Sequence, residues 1–249
     1  MDGADHSTAQ TVEFLLRMGD NTLVLGHRLS EWCGKGPILE EDIALANTAL
    51  DLIGQTQLWL GLAGEVEDAG RTADRLAYHR DAYDFRNLLL VERPNGDFGH
   101  TMMRQFLFDH WYLLALRALR EGEGPIADIA AKAEKEVTYH AERSAELVIG
   151  LGDGSPESHD RMQSALDALW SYTGEMLDLD ATDMAFLPDT IADAWRLDVQ
   201  TALAEATLTP PDSTFAHKGG KTGTRHSEHL GHMLAVMQTL PRSYPDATW

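Results

Sequence analysis

Gly36-Pro-Ile-Leu-Glu-Glu-Asp-Ile-Ala-Leu-Ala-Asn-Thr-Ala-Leu-Asp-Leu-Ile-Gly-Gln55 decides the fold. Gly36-Pro37 marks a sharp helix start, and Glu40, Glu41 and Asp42 sit near the positive end of the helix dipole. Past that turn the segment is mostly Ala, Leu and Ile on every side, as in a helix buried over much of its circumference. Asn47, Asp51 and Gln55 recur at i, i+4 and i+8 and so form one polar stripe along this apolar rod. A buried carboxylate costs several kcal/mol unless it is paired, hydrogen-bonded or metal-bound. Bundle cores that hold a metal centre, or once held one, show such a stripe. A stripe facing solvent or a subunit interface would read the same way, so both readings stay open here.

Helical periodicity continues in both directions. Val12, Leu15, Leu16, Leu23, Leu29 and Trp32 outline a first helical region, with an expected break near Gly19-Asp20 and an end at Gly34-Lys-Gly-Pro37. The second helix is expected from about Ile38 to Glu67, roughly 40 Å long at 1.5 Å per residue. A third is expected over Thr72 to Val91, closed by Pro94-Asn95-Gly96. Asp97 or a neighbour then caps a fourth, ending near Arg120, and a fifth covers Ile126 to Leu151. Ser155 as N-cap with Pro156 at the first helical position opens the next, clear to Tyr172 and weaker to Phe186. Pro188 is expected to open a helix to Leu208, Thr209–Thr224 to be a mobile loop, and Arg225–Leu240 to be the last helix. No strand, repeat or linker emerges. The class is all-α: one domain with a core of long antiparallel helices.

Bulk properties narrow the function. The chain has 249 residues with 43% hydrophobic side chains, enough for a substantial core and without a disorder signature. Its net charge of −20 opposes nucleic acid and anionic lipid as partners, and opposes long-range capture of polyanionic ligands. One cysteine, Cys33, rules out an internal disulfide and fits a reducing compartment. Met1–His6 lack a signal-peptide pattern, and no segment has 18 uninterrupted apolar residues. A cytoplasmic protein is expected, without membrane contact.

An oxygen-activating di-iron bundle carries Glu-x-x-His on each of two helices and a Glu on each of two others, because residues i and i+3 aim at one metal. Of the 11 histidines, only His100 has an acid three positions earlier, Asp97, at a helix start rather than mid-helix. Two such pairs are needed, so the sequence argues against a di-iron centre. Glu136/His140 and Glu228/His232, with His229 between the latter, are i, i+4 pairs that could share a lone metal if they faced each other; polar pairing or solvent exposure is the competing reading. Gly219-Gly-Lys-Thr222 matches a phosphate-binding loop only in part, since position 215 is Phe rather than Gly and no strand precedes it. Lys218, Lys221 and Arg225 could still meet an anionic ligand, although a plain surface loop accounts for them. Cys33 beside Trp32 has no base to activate it.

Several runs carry a family resemblance. Asp20–Cys33, Gly36–Asn47, Phe85–His100, Arg104–Asp109, Lys135–His140, Ile149–Gly154 and Glu228–Gly231 closely resemble the structural C-subunit of bacterial 1,2-phenylacetyl-CoA epoxidases, and the resemblance extends over most of the chain, roughly Val12 to Leu240. The resemblance implies a ferritin-like long-helix bundle with additional flanking helices, spanning residues 1–249 as one domain. It implies a non-catalytic structural subunit that pairs with a di-iron catalytic subunit, alongside a small bridging subunit and a flavin and iron–sulfur reductase. Together these epoxidise the ring of phenylacetyl-CoA in aerobic phenylacetate breakdown. No catalytic, cofactor-binding or metal residue is carried onto this chain, because those belong to the sister subunit. Two alternatives remain: a metal-binding ferritin-like oxidoreductase using Glu136, His140, Glu228 and His229 or His232, and a self-associating helical binding protein, for instance a homodimer when isolated.

Overall fold

A computed structural model describes residues 7–245 and 247, so the reading of Met1–His6, including His6, lies outside the described residues. Helix α1 spans Thr8–Ser30 and α2 spans Leu39–Glu67, two long rods joined by one short loop. They lie against each other over most of their length, and Gly19 explains how closely. A Cβ there would come within 2.5 Å of Leu60 Cδ2, so the glycine lets the helices touch rather than breaking one. The break expected at Gly19-Asp20 is therefore absent and α1 is continuous.

The expected third helix is replaced by α3 (Ala73–Tyr78), a 3₁₀ turn (Ala82–Asp84) and α4 (Leu89–Glu92). Its apolar residues Phe85, Leu88, Leu90 and Val91 are buried as the periodicity demands. Its backbone, however, is recruited by α1: Arg86 N donates to Asp20 Oδ2 at 2.8 Å and Leu88 N to Asn21 Oδ1 at 2.8 Å. Tertiary acceptors have displaced helical ones.

Helix α5 (Phe98–Leu119) and α6 (Pro125–Gly152) form the second long hairpin. Asp97 caps α5, accepting from His100 N at 2.9 Å and pairing with its ring Nδ1 at 2.7 Å. The one acid–histidine pair at i, i+3 is thus a helix cap. Helix α7 (Pro156–Leu169) starts as expected, Ser155 Oγ accepting from Ser158 N. The weaker pattern beyond it resolves into a 3₁₀ turn (Trp170–Tyr172) and two short helices, α8 (Gly174–Leu177) and α9 (Ala181–Met184). Helix α10 runs Ile191–Glu205, with Pro188 in the turn before it, and stops where Thr207 turns left-handed at φ 59°. Helices α11 (Glu228–Met237) and α12 (Thr239–Ser243) close the chain.

The α1–α2 hairpin packs on the α5–α6 hairpin, with α3, α4 and α7–α12 around them, and no strand occurs among the described residues. This is a ferritin-like long-helix bundle with flanking helices. Buried tryptophans tie the layers: Trp59 Nε1 donates to Tyr112 Oη at 2.9 Å, linking α2 to α5, and Trp195 Nε1 donates to the Leu107 carbonyl at 3.0 Å, linking α10 to α5.

The segment expected to be mobile is anchored instead. Lys221 is buried with its Nζ 2.5 Å from Asp183 Oδ2, and Asp183 in turn receives Arg17 Nη1 at 2.7 Å. Lys218 pairs with Asp178. Lys221 is thus committed to a buried carboxylate, whereas the Lys218–Asp178 pair lies at the surface.

Candidate functional site

The polar stripe of α2 is real over two of its three members. Asn47 is exposed, Asp51 half-buried and Gln55 buried, so the stripe dives into the bundle as it descends. It faces α6. Asp51 Oδ2 lies 3.0 Å from His140 Nε2, and Gln55 Nε2 donates to Glu136 Oε2 at 2.8 Å. Spacing i, i+4 on α2 meets spacing i, i+4 on α6, as two antiparallel helices in register require.

Deeper inside, α5 adds residues that the sequence reading missed. Asp109 is fully buried, its Oδ1 accepting from Gln105 Nε2 at 2.6 Å and its Oδ2 from Ser144 Oγ at 3.0 Å. Gln105 and Asp109 are four residues apart, the spacing that exposed the α2 stripe, but Arg104 and His110 beside them blur the signal. Burial pushes the Asp109 carboxyl up to about 7, opposed by nearby His140 and by the bonds from Ser144 and Gln105.

These groups pair off rather than converge. Ferritin-like bundles hold iron with carboxylates and imidazoles aimed at common points. Here an amide N–H of Gln55 occupies one Glu136 oxygen, Asp51 takes the His140 Nε2, and the His140 Nδ1 and Gln55 Oε1 are buried without hydrogen-bond partners. An N–H donor directed at a carboxylate oxygen is the opposite of a cation there. Among the described residues no three His, Cys, Asp or Glu side chains are grouped to hold a metal ion. The residues present do not fit a dinuclear iron site.

The second candidate pair lies elsewhere. Helix α11 packs near the end of α1, where the His229 carbonyl accepts from Arg28 Nη2 at 3.3 Å, and Glu228 and His232 are exposed. Glu136/His140 and Glu228/His232 are therefore not brought together. His27 and His110 are also structural, each ring Nδ1 bonding the carbonyl four residues earlier, with burial lowering the pKa of both. Cys33 is exposed. No helix among the described residues is long and apolar enough to cross a membrane.

Asp109 gives this interior a testable pH signature. The folded chain keeps its proton up to about pH 7, whereas the unfolded chain releases it near the ordinary value of 3.8. The native state binds more protons in that window, so the stability tied to Asp109 is present at low pH and lost as pH rises through it. Asp109→Asn removes the titration. Between about pH 5.5 and about pH 8, wild type loses on the order of 2 kcal/mol relative to Asp109→Asn in urea denaturation. Parallel pH curves for the two proteins refute the assignment.

Two comparisons bear on what the bundle is for. Residues 1–249 match the family model described as phenylacetic acid catabolic protein. The C-subunit of the 1,2-phenylacetyl-CoA epoxidase of Escherichia coli (strain K12) is 44% identical over 248 residues, covering 96% of this chain and 99% of that one.

Proposed function

The chain belongs to the phenylacetic acid catabolic protein family, and from that membership we propose that it is the structural, non-catalytic subunit of a cytoplasmic 1,2-phenylacetyl-CoA epoxidase complex. Its role is to pair with a di-iron catalytic subunit and hold that subunit in its working form. A small bridging subunit and a flavin and iron–sulfur reductase complete the assembly, and this chain carries no cofactor of its own. One observation supports the division of labour. Where a ferritin-like bundle can hold metal, this one is closed by Gln55–Glu136, Asp51–His140 and the Gln105–Asp109–Ser144 cluster. These contacts stabilise the α2–α5–α6 seam without leaving carboxylates for an ion. With a net charge of −20, the chain also contributes little to attracting a polyanionic acyl-CoA tail, which falls mainly to the partner.

The test is capture and metal content together. A tagged chain co-expressed with the sister catalytic subunit is expected to co-purify with it, while the tagged chain alone carries far less than one iron per chain. In the assembled complex, Asp51→Asn with His140→Gln is expected to leave epoxidation within about twofold of wild type, because neither side chain meets substrate. Stoichiometric iron in the isolated chain, or a partner that is stable and fully active without it, refutes the proposal.

A further inference from the structure

We infer that the outward face of α2 is the docking surface for a long helix of the catalytic subunit; this rests on the structural-subunit reading. Between Asp42 and Glu65 the only charged residue is Asp51, in a chain of net charge −20. Such a stretch has the composition of a helix covered on all sides. The fold covers only one side. Leu39, Ile43 and Leu50 are 70%, 52% and 67% exposed on the opposite face, and Tyr139 of neighbouring α6 is exposed at 57%. Single exposed apolar side chains are ordinary, but an uncharged stripe this long marks an interaction surface.

Gly54 and Gly61 fall on the same face, one heptad apart. A Cβ at either position would meet nothing within 4 Å, so no internal contact requires a glycine there. Mid-helix glycine is unfavourable for the isolated helix. Close approach of another backbone outside the chain explains both glycines as well as the exposed aliphatics.

Charge selects the occupant. A second copy would bring two bodies of −20 together, with the exposed Glu40 and Glu65 at either end of each stripe. A helix that is aliphatic along its middle, with Lys or Arg near both ends some ~38 Å apart, matches the stripe and both acidic ends.

The experiment captures tagged chain co-expressed with the sister catalytic subunit and quantifies the co-eluting partner. Ile43→Glu with Leu50→Glu is expected to cut recovery more than tenfold while the circular-dichroism melt of the isolated chain stays close to wild type. Leu197→Glu, at an equally exposed position (67%) on α10, is the control and leaves recovery within twofold. Gly54→Leu with Gly61→Leu is expected to act with opposite signs, raising the isolated melting temperature by roughly 3–6 °C while cutting recovery. Full recovery with the α2 variants, or loss with Leu197→Glu alone, overturns the face and leaves the structural-subunit reading standing. A wild-type chain that captures no partner overturns both. An isolated wild-type dimer that Ile43→Glu with Leu50→Glu makes monomeric gives the face to a second copy and overturns the assignment.

Discussion

Glu175→Ala is expected to destabilise the chain by about 4 kcal/mol and lower its melting temperature by roughly 8–16 °C. Glu175, on α8, is 1% exposed, and its carboxylate accepts three backbone N–H groups: Leu89 at 3.0 Å, Gly219 at 2.7 Å and Lys221 at 3.2 Å. Those donors come from two segments with little helical bonding of their own, so the carboxylate does there what a helix does elsewhere. Truncation leaves buried N–H groups without acceptors, each costing about 1–3 kcal/mol. Glu175→Gln separates the contributions: its amide oxygen can still serve Gly219 and Lys221, but its NH₂ then opposes the Leu89 N–H, and about half the loss is expected. Protease cleavage within residues 209–227 should rise well before global unfolding. A Glu175→Ala chain melting within about 2 °C of wild type removes the anchor argument.

The second large effect concerns Asp20 and Arg80. Asp20 is 0% exposed and faces the Arg80 guanidinium, whose Nη1 donates to Oδ2 at 3.0 Å and whose other Nη meets Oδ1. Arg80 also donates to the Leu76 and Asp84 carbonyls and lies 4.4 Å from the Phe85 ring centroid. Asp20→Ala leaves a buried cation without its counter-ion and is expected to cost about 3–5 kcal/mol. Asp20→Leu with Arg80→Met removes both charges and is expected to recover about half of that loss, because the isolated buried charge is gone while the Arg86 N–H still lacks the acceptor that Asp20 gave it. Urea melts of the single and double variants decide it; a double variant as unstable as the sum of the singles contradicts this account.

These two sites also show where sequence reasoning stops. The long helices are legible because their apolar period is carried within one element: α2, α5 and α6 begin and end within about two residues of expectation. Ser155-Pro156 locates the start of α7 for the same local reason. Residues 79–88 and 170–190 defeat that reading because their structure is imposed from far away in sequence. Asp20 and Asn21 take backbone donors from 66 and 67 residues on, and Arg17 binds Asp180 at 2.8 Å. Gly19-Asp20 looks like a helix break, and only the packed fold reveals the acid as a buried acceptor. In the polar interior, Asp51, Gln55, Glu136 and His140 can be named from spacing, whereas their pairing cannot. Asn47 shares the spacing but lies out in solvent, since period alone does not say how far along a helix the partner reaches.

The long reach of α1 bears on how the chain emerges from the ribosome. Arg17 finds its carboxylates at Asp180 and Asp183, and Arg28 bonds the carbonyl of His229, 201 positions later. At about 5–20 residues per second, the first helix waits roughly 8–40 s for partners that have not yet been translated. Until then Glu13 and Glu31, made together with α1, are the nearby carboxylates for Arg17 and Arg28, and the last polar bonds of α1 close only when synthesis is almost done.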